Sequence, residues 1–79
     1  TSFAQYANAM VAYSSGSPRE AITQLEKVIA AKPDFAEAYQ GLGLAYEAVG
    51  EKAKAMELYR QALDLKPGLW LAGAKLGKN

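Results

Sequence analysis

The sequence contains no cysteine and no histidine. Without cysteine there is no disulfide framework, no thiol nucleophile and no zinc–thiolate site; without histidine the usual general base and the commonest metal ligand are missing. Histidine-dependent catalysis is excluded. Charge of one sign is lacking too: nine Lys and Arg stand against eight Asp and Glu, a formal +1. A duplex nucleic-acid binder draws its affinity from neutralised phosphates and carries a basic stripe, so this balance argues against a nucleic-acid partner. No apolar run approaches the roughly 18–20 residues that span a bilayer, and Thr1-Ser2-Phe3 shows no charged start before an apolar stretch. The chain reads as soluble, without membrane insertion, and the missing cysteines suit cytoplasm and periplasm alike. It opens on Thr1 rather than Met, which marks a processed product or a piece excised from something longer.

What is present is 79 residues, 51% of them hydrophobic. That content is high for a disordered tail and the length fits one small domain. Such a domain buries only about 60–65% of its unfolded surface, so its core is marginal unless something outside the chain helps.

Self-similarity gives the organisation. Lys32-Pro33 recurs as Lys66-Pro67, Gly16 as Gly50, Ala21 as Ala55 and Leu42-Gly43 as Leu76-Gly77, always 34 residues on, and Ala4, Ala38 and Ala72 keep the same step. A period of that length with Gly and Pro at the boundaries is the mark of stacked helical pairs. Ser17-Pro18-Arg19-Glu20 predicts a helix from Pro18 by a capping box with Pro at its first position, its buried stripe being Ala21, Ile22, Leu25, Val28 and Ile29. That helix stops before Pro33. Asp34-Phe35-Ala36-Glu37 reads as a second capping box, opening a helix with Phe35, Ala38, Tyr39, Leu42, Ala45 and Tyr46 on its apolar face. Gly50 supplies a left-handed cap. A helix over about Lys52 to Leu65 follows, carrying Ala55, Met56, Tyr59, Ala62 and Leu63, and then a shorter final one. No stretch alternates as a strand does, so the expectation is an all-α chain of five helices.

The segment Asp34 to Pro67 resembles a tetratricopeptide repeat, of bacterial or generic type. Tyr39, Leu42, Gly43 and Tyr46 on its first helix, Gly50 at the turn, Ala55, Tyr59, Ala62 and Leu63 on its second and the closing Pro67 match the family's diagnostic positions. Residues 1–33 form a degenerate copy, good in its second helix and poor in its first; residues 68–79 hold a terminal helix in which Ala72, Leu76 and Gly77 match but Gly73 replaces a large aromatic. The resemblance implies a single domain, a right-handed α-solenoid of antiparallel helix pairs, acting as a non-catalytic module that binds a peptide or helix of a partner protein in a concave groove lined by first helices. It implies no cofactor and no metal. By that analogy the groove positions are Phe3, Tyr6, Met10 and Tyr13, then Glu37, Gln40, Leu44 and Glu47, then Leu71, Ala74, Lys75 and Lys78.

These residues also have readings of their own. Phe3, Tyr6, Met10 and Tyr13 share one helical face, and aromatic and Met side chains there form an adaptable anchor for an apolar segment. Rotating the first helix by about 100°, one residue of register, would instead place Tyr6 and Tyr13 in the core positions of Tyr39 and Tyr46. The unshifted register puts Asn8 in the place of Leu42; the shifted one forces Met10 into the tight place of Gly43. An unpartnered buried amide and an overpacked side chain each cost about 1–3 kcal/mol, so the two registers stay open. The Lys, Asn and Arg clamp by which some family members grip a C-terminal carboxylate is missing: Tyr6, Met10, Glu37 and Gly41 occupy the facing positions, and only Lys75 and Lys78 are cationic.

Catalysis finds no support. Glu37 and Glu47 lie ten residues apart, about 15 Å along one helix, too far for the roughly 5–9.5 Å of paired glycosidase carboxylates. Ser14, Ser15 and Ser17 are turn and cap residues without a base to activate them. The terminal helix carries Leu69, Trp70 and Leu76 with no second helix after it, a candidate docking end. Structural self-association into a homo-oligomer or filament through such ends, or service as a spacer in a larger multidomain protein, are the alternative readings.

Overall fold

Two glycines set the frame of the molecule, a computed structural model that describes residues 1–77. Gly16 and Gly50 adopt φ of +89° and +86°, the left-handed conformation that a side chain disfavours. Each turns the chain out of one helix and into the next. The helices are α1 (Ser2–Ser14), α2 (Pro18–Ala31), α3 (Ala36–Ala48), α4 (Lys52–Leu65) and α5 (Trp70–Lys75), with no strand among the described residues. This is the all-α architecture expected: α1 pairs with α2, α3 with α4, and α5 packs on α4.

The hydrogen bonds at the turns repeat with the 34-residue step. Gly16 N–H donates to Tyr13 O as Gly50 N–H does to Glu47 O, and Ser17 N–H to Ala12 O as Glu51 N–H does to Tyr46 O. Because α1 and α3 end in the same phase, the first helix keeps the unshifted register. Ala9 therefore holds the place of Gly43, fully buried beside α2, and Met10 avoids it. Asn8 does hold the place of Leu42, yet at no desolvation cost. Leu42 is buried in the cluster it shares with α1 and α2, whereas Asn8 is exposed.

The two expected capping boxes do not form. Ser17 makes no side-chain cap bond, and Glu20 accepts instead from Gln24 Nε2 at 3.1 Å. α3 starts one residue later than the box implies, with Phe35 as its N-cap, because Asp34 pairs with Lys32 at 3.2 Å and the Phe35 ring is drawn into the core. Leu76-Gly77 also departs from its counterpart: Leu42-Gly43 lies inside α3, but Gly77 has φ +76° and lies just past α5.

Alanine dominates the interior, which lets the helices approach closely. One cluster gathers Ala9 and Ala12 of α1, Ala21, Leu25 and Val28 of α2, Phe35, and Ala38, Leu42 and Ala45 of α3, with Leu58 of α4. A second gathers Ala55, Tyr59 and Ala62 of α4 with Ala72 of α5. Tyr39 and Tyr46 of α3 border both.

Candidate partner-binding face

The first turn of α1 and the start of α3 meet through aromatic rings. Phe3 lies parallel to Phe35, with centroids 6.3 Å apart and planes 5° from coplanar, while Tyr6 tilts against Phe35 at 5.1 Å. Phe35 is buried, but Phe3 is 71% exposed, so the stack presents one ring to solvent. Tyr6, Met10 and Tyr13 continue down α1 from it, half-buried with one side on the first cluster. Met10 owes its seat to Gly41: a Cβ there would stand 2.9 Å from the Met10 sulfur and 3.4 Å from Leu25 Cδ1. Burial, with the nearby Glu37 charge as a lesser cause, pushes the Tyr6 phenol above its ordinary range.

On α3 the four candidate residues are all half-buried, and each is engaged within the chain. Glu37 Oε2 accepts from Lys66 Nζ at 2.6 Å, and that hydrogen bond is the main cause holding its carboxyl below the usual range. Gln40 Oε1 accepts the backbone N–H of Ala72 at 3.0 Å. The same amide position is satisfied differently at each step of the array, for Ala4 N–H donates to Thr1 Oγ1 and Ala38 N–H to Phe35 O. Leu69, the N-cap of α5, offers no side-chain acceptor, so Gln40 caps α5 from another helix.

Leu44 packs on the second cluster. Glu47 Oε1 accepts from Tyr59 Oη at 2.7 Å and forms an ion pair with Lys75 Nζ at 3.2 Å. The Tyr59 bond is the first cause of the low Glu47 pKa; in return the Tyr59 phenol is pushed well above its ordinary value, first by burial and then by Glu47.

On α5, Leu71 is half-buried and Ala74 exposed, and Lys75 turns toward Glu47. Lys78 lies outside the described residues. Leu69 and Leu76 of the candidate docking end pack inward on the second cluster, whereas Trp70 is 79% exposed. The face is thus aromatic and apolar along α1 and acidic along α3, each acid met by a lysine from a later element. Phe35, Gly41 and Tyr59 shape it without having stood among the candidate positions. The sequence signal for Gly41 was a glycine inside a helix, which marks a close approach.

Among the described residues, no group of three or more carboxylates converges on a point that would hold a metal ion, and no helix is long and apolar enough to cross a membrane.

Comparison with known proteins places this geometry. A family model described as tetratricopeptide repeat matches residues 6–69. The chain is also similar to a solved structure titled "Crystal structure of MamA", with a TM-score of 0.92 and 32% identity over 98% of this chain. It spans 45% of that protein's length. No curated protein matches it.

Proposed function

Because this chain belongs to the tetratricopeptide repeat family, whose fold generally mediates protein–protein interaction, we propose that it is a non-catalytic module binding a peptide or helix of a partner protein along the face shared by α1 and α3. One observation carries the reading: Tyr6, Met10 and Tyr13 form a half-buried row that runs from the exposed Phe3 ring down a single helix. Side chains of this kind offer apolar area at small entropic cost, and the methionine adapts its shape to what it meets. A bound segment lies across the row and reaches Leu44 on α3. Glu37 and Glu47, with Lys66 and Lys75 already beside them, set its orientation as balanced polar edges rather than as free charges.

The test uses peptides selected from a random displayed library on the immobilised chain and then titrated in solution. Phe3→Glu and Tyr6→Ala, each checked for native helicity, are expected to weaken the selected peptides at least about tenfold, the loss of one well-packed aromatic anchor. Selected peptides that bind both variants as tightly as the parent chain would refute the proposal.

A further inference from the structure

Away from that face the surface holds an open dent of about 230 Å³, lined by Pro33, Tyr39, Gln61, Asp64 and Leu65. Its walls are set in place. Tyr39 Oη donates to the Pro33 carbonyl at 3.0 Å, tying the first turns of α3 to the loop before it. Leu65, the last residue of α4, is 44% exposed, a large apolar side chain left uncovered at the lip. Gln61 and Asp64 add two side chains that are both able to accept a hydrogen bond. An apolar cavity of about 150 Å³ is enough to hold benzene, so a ring system larger than benzene, bearing one N–H donor, fits both the space and the chemistry.

The same chain displays such a group. Trp70 is its only tryptophan and its most exposed large apolar side chain, and it is not among the residues that line the dent. We propose that Trp70 of one molecule seats in the Pro33–Tyr39–Leu65 dent of a second copy, with the indole N–H donating to Asp64 or Gln61. A protruding apolar group and a matching pocket elsewhere on one surface make a heterologous contact, which joins copies head to tail or closes on itself. A formal charge of +1 puts little long-range repulsion between copies. An aromatic residue buries about 150–250 Å², so even two reciprocal seats remain well below the roughly 1,200 Å² of a stable interface. The association is therefore weak and concentration-dependent. It does not depend on the peptide-binding face.

Sedimentation equilibrium and tryptophan emission, followed together from about 5 to about 500 μM, test the proposal over the range expected for so small an interface. The expected result is a rise in mass accompanied by a shift of emission to shorter wavelength. Trp70→Ala and Leu65→Lys, both at exposed positions, abolish the rise in mass, and Leu65→Lys keeps the emission of an exposed indole. Phe3→Glu leaves both signals as in the parent chain, which separates this result from failure of the peptide-binding reading. A monomer at every concentration would overturn the proposal. So would self-association untouched by Leu65→Lys, or short-wavelength emission from a monomer, which would mean that Trp70 is covered by its own chain.

Discussion

Replacing Gly43 by alanine sets a methyl group against the ring of Tyr59. A Cβ at position 43 would stand 2.7 Å from Tyr59 Cδ1 and 2.9 Å from Cζ, and nearer still to Cε1. The ring cannot swing aside cheaply, since Tyr59 is fully buried and its hydroxyl is held by Glu47 at 2.7 Å. Overpacking costs about 1–3 kcal/mol. If the ring shifts enough to release Glu47, a hydrogen bond to a charged group is lost as well, about 1.5–3 kcal/mol. Against these, alanine is better than glycine inside a helix by about 1 kcal/mol. With the Glu47 bond released the net expectation is a loss of about 1.5–5 kcal/mol, which for a domain of this size lowers Tm by roughly 6–40 °C. Gly41→Ala is the control. Its new methyl meets the Met10 sulfur at 2.9 Å, the far end of a flexible side chain, so relaxation and helix propensity nearly cancel and Tm stays within about 5 °C. Thermal unfolding of the two variants by circular dichroism decides the matter. Equal stability for Gly43→Ala and the parent, or greater damage from Gly41→Ala, would refute the packing argument.

Other outcomes follow from the polar contacts. Gln40→Ala removes the cap that α3 lends to α5, so amide exchange at Ala72 should quicken while global stability falls by only about 0.5–1.5 kcal/mol; unchanged exchange would count against the cap. The Tyr59 phenol ionises near pH 10 in the unfolded chain but at higher pH when folded, so its contribution, complete below pH 10, is lost as pH rises beyond it. Tm measured from about pH 9 to 12 should therefore fall less steeply in Tyr59→Phe than in the parent, with Tyr6 and Tyr46, also raised, leaving a residual slope. At the acid end the depressed Glu47 and Glu37 contribute above about pH 4.5 and lose that contribution as pH drops through their lower folded values, so Glu47→Gln should flatten an acid titration of Tm below pH 4.5.

The frame of the molecule was legible because its punctuation is chemical and local. Glycine tolerates φ above zero, and proline is accepted in the first turn of a helix but not in its interior, so Gly16, Gly50, Pro18 and Pro33 mark boundaries from the sequence alone. Features that depend on a neighbour's side chain were not. Asp34 reads as a cap until Lys32 competes for it and Phe35 finds the rings of Phe3 and Tyr6. Asn8 reads as a buried liability until its side chain proves to be exposed. At the candidate face, helical spacing correctly put Tyr6, Met10 and Tyr13 on one side of α1, but the pairing of Glu37 with Lys66 across 29 residues and the capping of α5 by Gln40 across 32 leave no periodic trace.

Tyr39 and Tyr46 give α3 a part to play under mechanical load. Each ring borders both clusters, and their hydroxyls reach backward, Tyr39 to the Pro33 carbonyl and Tyr46 to Glu26 of α2. A pull applied at the C-terminal end first meets α5, which is fastened by its apolar seat on α4, the Gln40 hook and the Lys75–Glu47 pair. The next step has no such soft fastening. Tearing α3 and α4 from α1 and α2 opens the first cluster and breaks the Tyr46–Glu26 bond in the same motion, so the chain yields as a short compliant tip followed by a brittle block.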